Sequence, residues 1–219
     1  TYTSSIWSGG INLYFMDYKD QLLATGQLSD TGNAVSVNVP SSYRMGIELQ
    51  SSLRPVSWFE WAVNATFSRN RIKDFVEYIY EDEWTNPITI NHGSTAIAFS
   101  PNIILANAFN FDWNGLDASL RTRYVSRQYL NNAQQKEQSL DPYCVSDLLL
   151  GYTFRNLAAI KSLRIGLNIN NLFSAKYFSN GYSGAGYYVD EGGEKVIYRY
   201  AGYAAQAPIN VLGTVSISF

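Results

Sequence analysis

One cysteine, Cys144, and one histidine, His92, are all that 219 residues offer of either type. A lone thiol excludes a disulfide framework and a zinc ribbon. A lone imidazole removes most metal-site and catalytic-triad schemes. Charged residues make up only 16% of the chain, against about a quarter in a typical soluble domain. Net charge is −2 with a pI near 5.4, so no basic field exists to hold a nucleic acid backbone. Six prolines and 16 glycines exclude collagen-like and low-complexity chains. No apolar run approaches the roughly 18 residues of a spanning helix. A signal peptide is missing as well: residues 1–10 are polar and glycine-bearing, without a basic start or an apolar core. That absence predicts either a cytoplasmic chain or one whose own N-terminus lies upstream.

What the chain has instead is 46% hydrophobic and 15% aromatic residues, 17 of them tyrosine, arranged with period two. Near the end, Ile209, Val211, Val215, Ile217 and Phe219 alternate with Asn210, Thr214, Ser216 and Ser218. Leu163, Ile165, Leu167 and Ile169 alternate with Arg164, Gly166, Asn168 and Asn170. The same division runs through Leu148–Phe154, Leu116–Tyr124, Phe59–Phe67 and Met45–Leu49. In a strand the two sets face opposite sides. A stripe from Ile103 to Phe111 is broken by Asn107, and the first segment loses register at Met16–Asp17, which predicts a bulge there.

Eight strands follow, at about 5–24, 40–54, 57–74, 101–113, 116–129, 142–154, 162–173 and 207–219. Their connections alternate in length: 54–57, 113–115 and 155–161 are short, whereas 26–39, 75–100, 130–141 and 174–206 are long. Short turns on one rim and long loops on the other are the layout of an antiparallel transmembrane β-barrel. A soluble, carbohydrate-binding β-sandwich also alternates. Against it stand polar faces almost free of lysine, aromatics at the strand ends, and long loops confined to one rim.

The run Asn170-Asn171-Leu172-Phe173-Ser174-Ala175-Lys176-Tyr177 resembles the penultimate strand and last loop of TonB-dependent receptors of the Bacteroides type. Residues 13–22, 43–49, 145–148 and 206–219 fit the same family in order. The resemblance implies that residues 1–219 are the C-terminal part of a barrel of about 22 strands, without its plug domain. A small self-closed barrel with a structural or adhesive role is the alternative, since eight strands enclose only side chains. The family further implies residence in the outer membrane of a Gram-negative bacterium, energy supplied by TonB through the missing N-terminal region, and uptake of a scarce large solute. An iron chelate such as a siderophore is the foremost solute. Phe219, Ile217 and Val215 resemble the terminal signal read by the barrel-assembly machinery.

Site residues follow from the loops and the inner face. Tyr78, Tyr80, Trp84, Tyr182, Tyr187, Tyr188, Tyr198, Tyr200 and Tyr203 give the loops flat rings for stacking a small molecule. Arg121, Arg123 and Arg127 share one parity, so all three should point inward, to pair with plug carboxylates, Asp147 or Glu60, or to attract an anionic solute. His92 reads as a ligand contact or as a solvated loop histidine, and Glu81-Asp82-Glu83 as a hydrated loop. The candidate solute contacts are thus Tyr80, Trp84, His92, Arg123, Arg127, Tyr187 and Tyr198. No catalytic set, metal site or cofactor is expected. Glu48 and Glu60 on adjacent strands are read as partners of the inner arginines rather than as an acid–base pair.

Overall fold

The computed structural model describes residues 1–29, 33–81, 86–157 and 160–219. In chain order its strands are β1 (Tyr2–Thr3), β2 (Trp7–Leu28), β3 (Ala34–Val56), β4 (Phe59–Glu81), β5 (Ile88–Ala96), β6 (Ile103–Trp113) and β7 (Leu116–Val125). After them come β8 (Gln128–Tyr129), β9 (Ser139–Leu140), β10 (Tyr143–Leu157), β11 (Ile160–Asn170), β12 (Phe178–Val189), β13 (Lys195–Ala205) and β14 (Asn210–Ser218). Eight long strands, in the order β2-β3-β4-β6-β7-β10-β11-β14, form an antiparallel meander. These are the eight read from the alternation. Among the described residues the two ends of the sheet do not pair, so the wall is open.

Register carries the apolar stripe from strand to strand, interrupted where Asn107 faces Thr122 and Thr122 faces Ser146. Leu13 faces Ile47, Ile47 faces Phe67, and Phe67 faces Ile103. Further along, Leu120 faces Leu148, Leu148 faces Ile169, and Ile169 faces Val211. These side chains stay exposed: Ile11, Leu13 and Phe15 are 67–70% accessible. No second sheet covers them among the described residues, which overturns the sandwich reading. An apolar face this broad belongs in a lipid phase. At the short-turn rim Trp58 packs on Phe111 with ring centroids 4.8 Å apart, and Tyr152 on Phe154 at 4.6 Å. They form an aromatic girdle. The turn at Asn114 and Gly115 has φ of 50° and 85°, the left-handed pair that a two-residue hairpin needs.

Above the belt the strands continue well past a bilayer's thickness. β4 has 23 residues, whereas about 9–11 suffice to span. Its lower part, residues 59–67, pairs with β6, and its upper part pairs with β5. At Asp74 (φ 54°) the register slips, and the alternation of faces reverses. Ile72 and Phe75 are three residues apart, yet both are buried in one cluster with Val39, Ile97 and Ala133. On β3, Ser42 and Val39 show the same three-residue spacing of buried positions. The expected bulge at Met16–Asp17 is absent. There β2 pairs in regular register with Arg44 and Tyr43, and the irregularities lie higher, at Asp20 (φ 55°) and between Ala24 and Leu28.

Two stretches expected as loops are structured. Residues 75–100 contain the top of β4 and all of β5, and residues 174–206 contain the β12–β13 hairpin. Neither carries a long one-sided apolar stripe: in the first Glu77 stands between Phe75 and Ile79 on one face, and in the second tyrosine and glycine set the faces. The hairpin folds back across the wall, so that β12 pairs in parallel with the top of β4 through Gly186–Tyr80 and Tyr187–Glu81.

Candidate functional site

The two faces of the hairpin differ by parity. Gly184 lies opposite Tyr200, Gly186 opposite Tyr198, and Gly202 opposite Tyr182. Each tyrosine ring lies over its glycine, and a Cβ at any of the three glycines would meet that ring. The other face, with Ser183, Tyr187, Arg199 and Tyr203, is tied to the rest of the protein. Arg199 donates from both terminal nitrogens to Glu77 of β4, at 2.7 Å each. His92 Nε2 of β5 lies 2.7 Å from the same carboxylate. Tyr187 is buried and donates from Oη to the Asn86 carbonyl at 2.5 Å. Asn131 donates to Ser183 Oγ, and Gln138 donates to the carbonyls of Gly184 and Tyr200.

Glu77 lies about 30 Å along β4 from Phe67, clear of the lipid belt. Burial alone would raise its carboxyl, but the hydrogen bonds and charges of Arg199 and His92 outweigh burial and hold it below its ordinary value of 4.5. The same pairing raises Arg199. The three side chains form a closed ionic knot, with Glu77 8% exposed.

Between this hairpin and the upper wall opens a cleft of about 850 Å³. Its lining includes Leu23, Arg44, Glu77, Tyr80, Phe99 and Asn132, together with Tyr198 and Tyr200. Thr25, also in the lining, is buried with a hydroxyl that has no partner among the described residues. Tyr80 is fixed there by the Leu28 N–H, which donates to its Oη at 3.3 Å.

Of the residues expected at the site, Tyr80, His92, Tyr187 and Tyr198 gather at the hairpin and cleft. His92 is neither a loop residue nor solvated: it sits on β5, stacked on Phe75 at 6.2 Å. Trp84, Asp82 and Glu83 lie outside the described residues. Arg123 is separate, on the inner face of β7, with its guanidinium 5.9 Å from the Tyr143 ring. With Arg121, Asp147, Ala62 and Ala108 it borders a smaller hollow of about 190 Å³. Arg127 does not continue the row, because β7 ends at Val125 and Arg127 pairs instead with Asp141 at 2.7 Å. Glu60 takes Arg54 at 3.0 Å, and Asp147 accepts the Asn171 N–H, so neither answers the arginine row as expected. Arg164 pairs with Asp117, Nη2 to Oδ2 at 2.6 Å. Reading by sequence missed the Glu77–Arg199 pair. The signal available was Arg199 set between Tyr198 and Tyr200, a polar residue on the opposite face from two rings.

No curated protein matches the chain. Solved structures do. The ferric citrate transporter FecA in its unliganded form superposes with a TM-score of 0.66 at 16% identity, over 99% of this chain and 29% of that one. The ferric yersiniabactin uptake receptor FyuA from Yersinia pestis gives 0.62 at 17%, over 100% and 28%. The siderophore receptor PiuA from Acinetobacter baumannii gives 0.63 at 13%, over 98% and 27%. The chain thus spans under a third of the length of these structures, and at such identities the likeness shows the fold. The profile described as "TonB dependent receptor-like, beta-barrel" matches residues 1–172. With its outward apolar belt and its long-loop rim, the chain belongs to this family of barrels from the Gram-negative outer membrane.

Proposed function

We propose that this chain is the C-terminal wall of a receptor that takes up a scarce, large solute, an iron chelate foremost, with energy supplied through TonB. The observation that carries this reading is the cleft on the long-loop side, walled by barrel strands and roofed by the inward-folded hairpin. Its size suits a solute of several hundred daltons, and its mixture of rings and polar groups suits a chelate with both. The FecA, FyuA and PiuA structures are named for ferric citrate, ferric yersiniabactin and siderophores. The open sheet and the fraction of those structures it covers support a larger barrel of about 22 strands, completed by further strands and a plug. In this reading TonB engages the receptor outside these residues, and the barrel-assembly machinery reads Phe219, Ile217 and Val215. Transport, not catalysis, is the activity inferred.

Solute capture assigns contacts to Tyr80 and Tyr198 at the cleft, with His92 and Tyr187 holding its roof. Arg123 and Arg127 fall outside the cleft, and their part in this reading lies along the path inward. The test is uptake by the full-length receptor over a panel of iron chelates, beside a Tyr80→Ala/Tyr198→Ala variant and a variant lacking residues 178–205. At least one chelate should be taken up, and both variants should bind it more weakly while the barrel still assembles. Uptake unchanged by removal of the hairpin would overturn the cleft as the capture site.

A further inference from the structure

The outward face of β4 carries on above the apolar belt as a row of cations. Phe67 ends the belt, and Arg69, Arg71 and Lys73 follow at alternate positions. Their intervening neighbours Asn70 and Ile72 are buried on the inner side, which fixes the three cations outside. Register extends the row: Lys73 faces Ser41, and Ser41 faces Lys19 of β2. Tyr43 sits in the middle of this patch, stacked on Phe15 at 6.3 Å and with Lys73 Nζ 5.9 Å from its ring centroid.

Four like charges on one patch repel one another unless an anion answers them. Among the described residues none of the four forms an ion pair. Arg71 donates to the neutral Gln134 amide at 2.6 Å, which leaves its charge unanswered. The acids on this side of the sheet are Asp17, separated from Arg71 by Tyr43 in the register, and Asp20 and Asp74 at the irregularities above. Neither Asp17 nor the others come within ion-pair distance of the four.

Height decides what the missing anion is. The row begins one alternation above the last complete apolar rung, Leu13–Ile47–Phe67–Ile103, on the long-loop side. That is headgroup level of the external leaflet, where aromatic rings and cationic side chains meet the polar ends of lipids. Guanidinium groups bind phosphate in two-pronged fashion, and a lysine adds a point charge. We propose that Arg69, Arg71, Lys73 and Lys19 form a binding site for the phosphate of an external-leaflet lipid, with the Phe15–Tyr43 pair supporting the acyl end. The site lies on the opposite face of β4 from the cleft and does not depend on the solute reading.

The test extracts the full-length receptor in mild detergent and measures retained phosphorylated lipid by native mass spectrometry. Arg69→Gln/Arg71→Gln/Lys73→Gln is compared with wild type and with Lys161→Gln, an exposed cation at the opposite rim. Wild type and Lys161→Gln should retain the lipid, and the triple variant should lose it by about fivefold for each cation removed. If the triple variant fails to assemble, Arg69→Gln/Lys19→Gln is read instead, with assembly checked by heat-modifiable gel mobility. Equal retention in assembled variants overturns the site. Inorganic phosphate separates the two sources of this chemistry. Displacement of the lipid only by phosphorylated lipid supports the proposal, whereas full displacement by millimolar phosphate shows an ion site and overturns the lipid assignment.

Discussion

Glu77 and Arg199 are 122 positions apart in the chain, yet they share two parallel hydrogen bonds of 2.7 Å and are largely withdrawn from water. Few contacts in the molecule join parts so distant. This one fastens the last hairpin to a strand near the beginning.

Breaking one side of a buried pair leaves the other charge stranded. Arg199→Met should therefore weaken hairpin closure by about 3 kcal/mol or more, roughly a hundredfold in the opening equilibrium. Amide hydrogen exchange over β12 and β13 in the full-length receptor measures it. The strands β6, β7, β10 and β11 should keep their protection, since the knot does not touch them.

Acid should do reversibly what the mutation does permanently. The folded Glu77 carboxyl titrates below its ordinary value of 4.5, so its contribution is complete at neutral pH and above the unfolded value. It is lost only as pH falls through the lower folded value. Hairpin exchange should accelerate below about pH 4.5, and Glu77→Gln should remove that acid step. Loosening already complete at pH 6 would assign the closure to another group.

Facing predicts opposite outcomes for one substitution at two nearby positions. Ile165 lies on the lipid side, beside Tyr152 and Val215, whereas Asn168 lies on the inner face opposite Leu149. Leu167→Arg, one alternation beyond Ile165 and the Tyr152 girdle and facing Leu150, should cost about 2–4 kcal/mol and reduce assembled receptor in outer-membrane fractions. Asn168→Arg should assemble as wild type does.

Phe219 is 79% exposed, just beyond the last strand, where Ile217 faces Leu163. Phe219→Ala should slow insertion in pulse-chase assembly while leaving the denaturation of assembled barrel little changed. A normal insertion rate would reduce Phe219 to a girdle aromatic.

All eight wall strands were legible because a strand with lipid on one side and polar surroundings on the other must alternate, and residue type records it. Ile165 and Asn168 could be placed on opposite faces from letters alone. The upper structure was not legible for the same reason. In β12 and β13 rings and aliphatic residues stand on both faces, Tyr187 and Ile197 on one and Tyr188 and Val196 on the other, so no one-sided stripe marks which of Tyr198 and Arg199 faces the wall. Parity counting also assumes an unbroken strand. It therefore placed Arg127 in a row that ends at Val125, and it had no means of detecting the slip at Asp74.

That slip at Asp74 bears on how such a receptor can change over generations. Residues above it take their facing from the local irregularity and not from the count that governs Phe59 to Phe67. A one-residue insertion or loss in the upper strand can then exchange the side chains that line the cleft while every lipid-facing residue keeps its address. Innovation in the cleft and fidelity in how the wall is seated are thereby separated at a single joint, and each can drift without taxing the other.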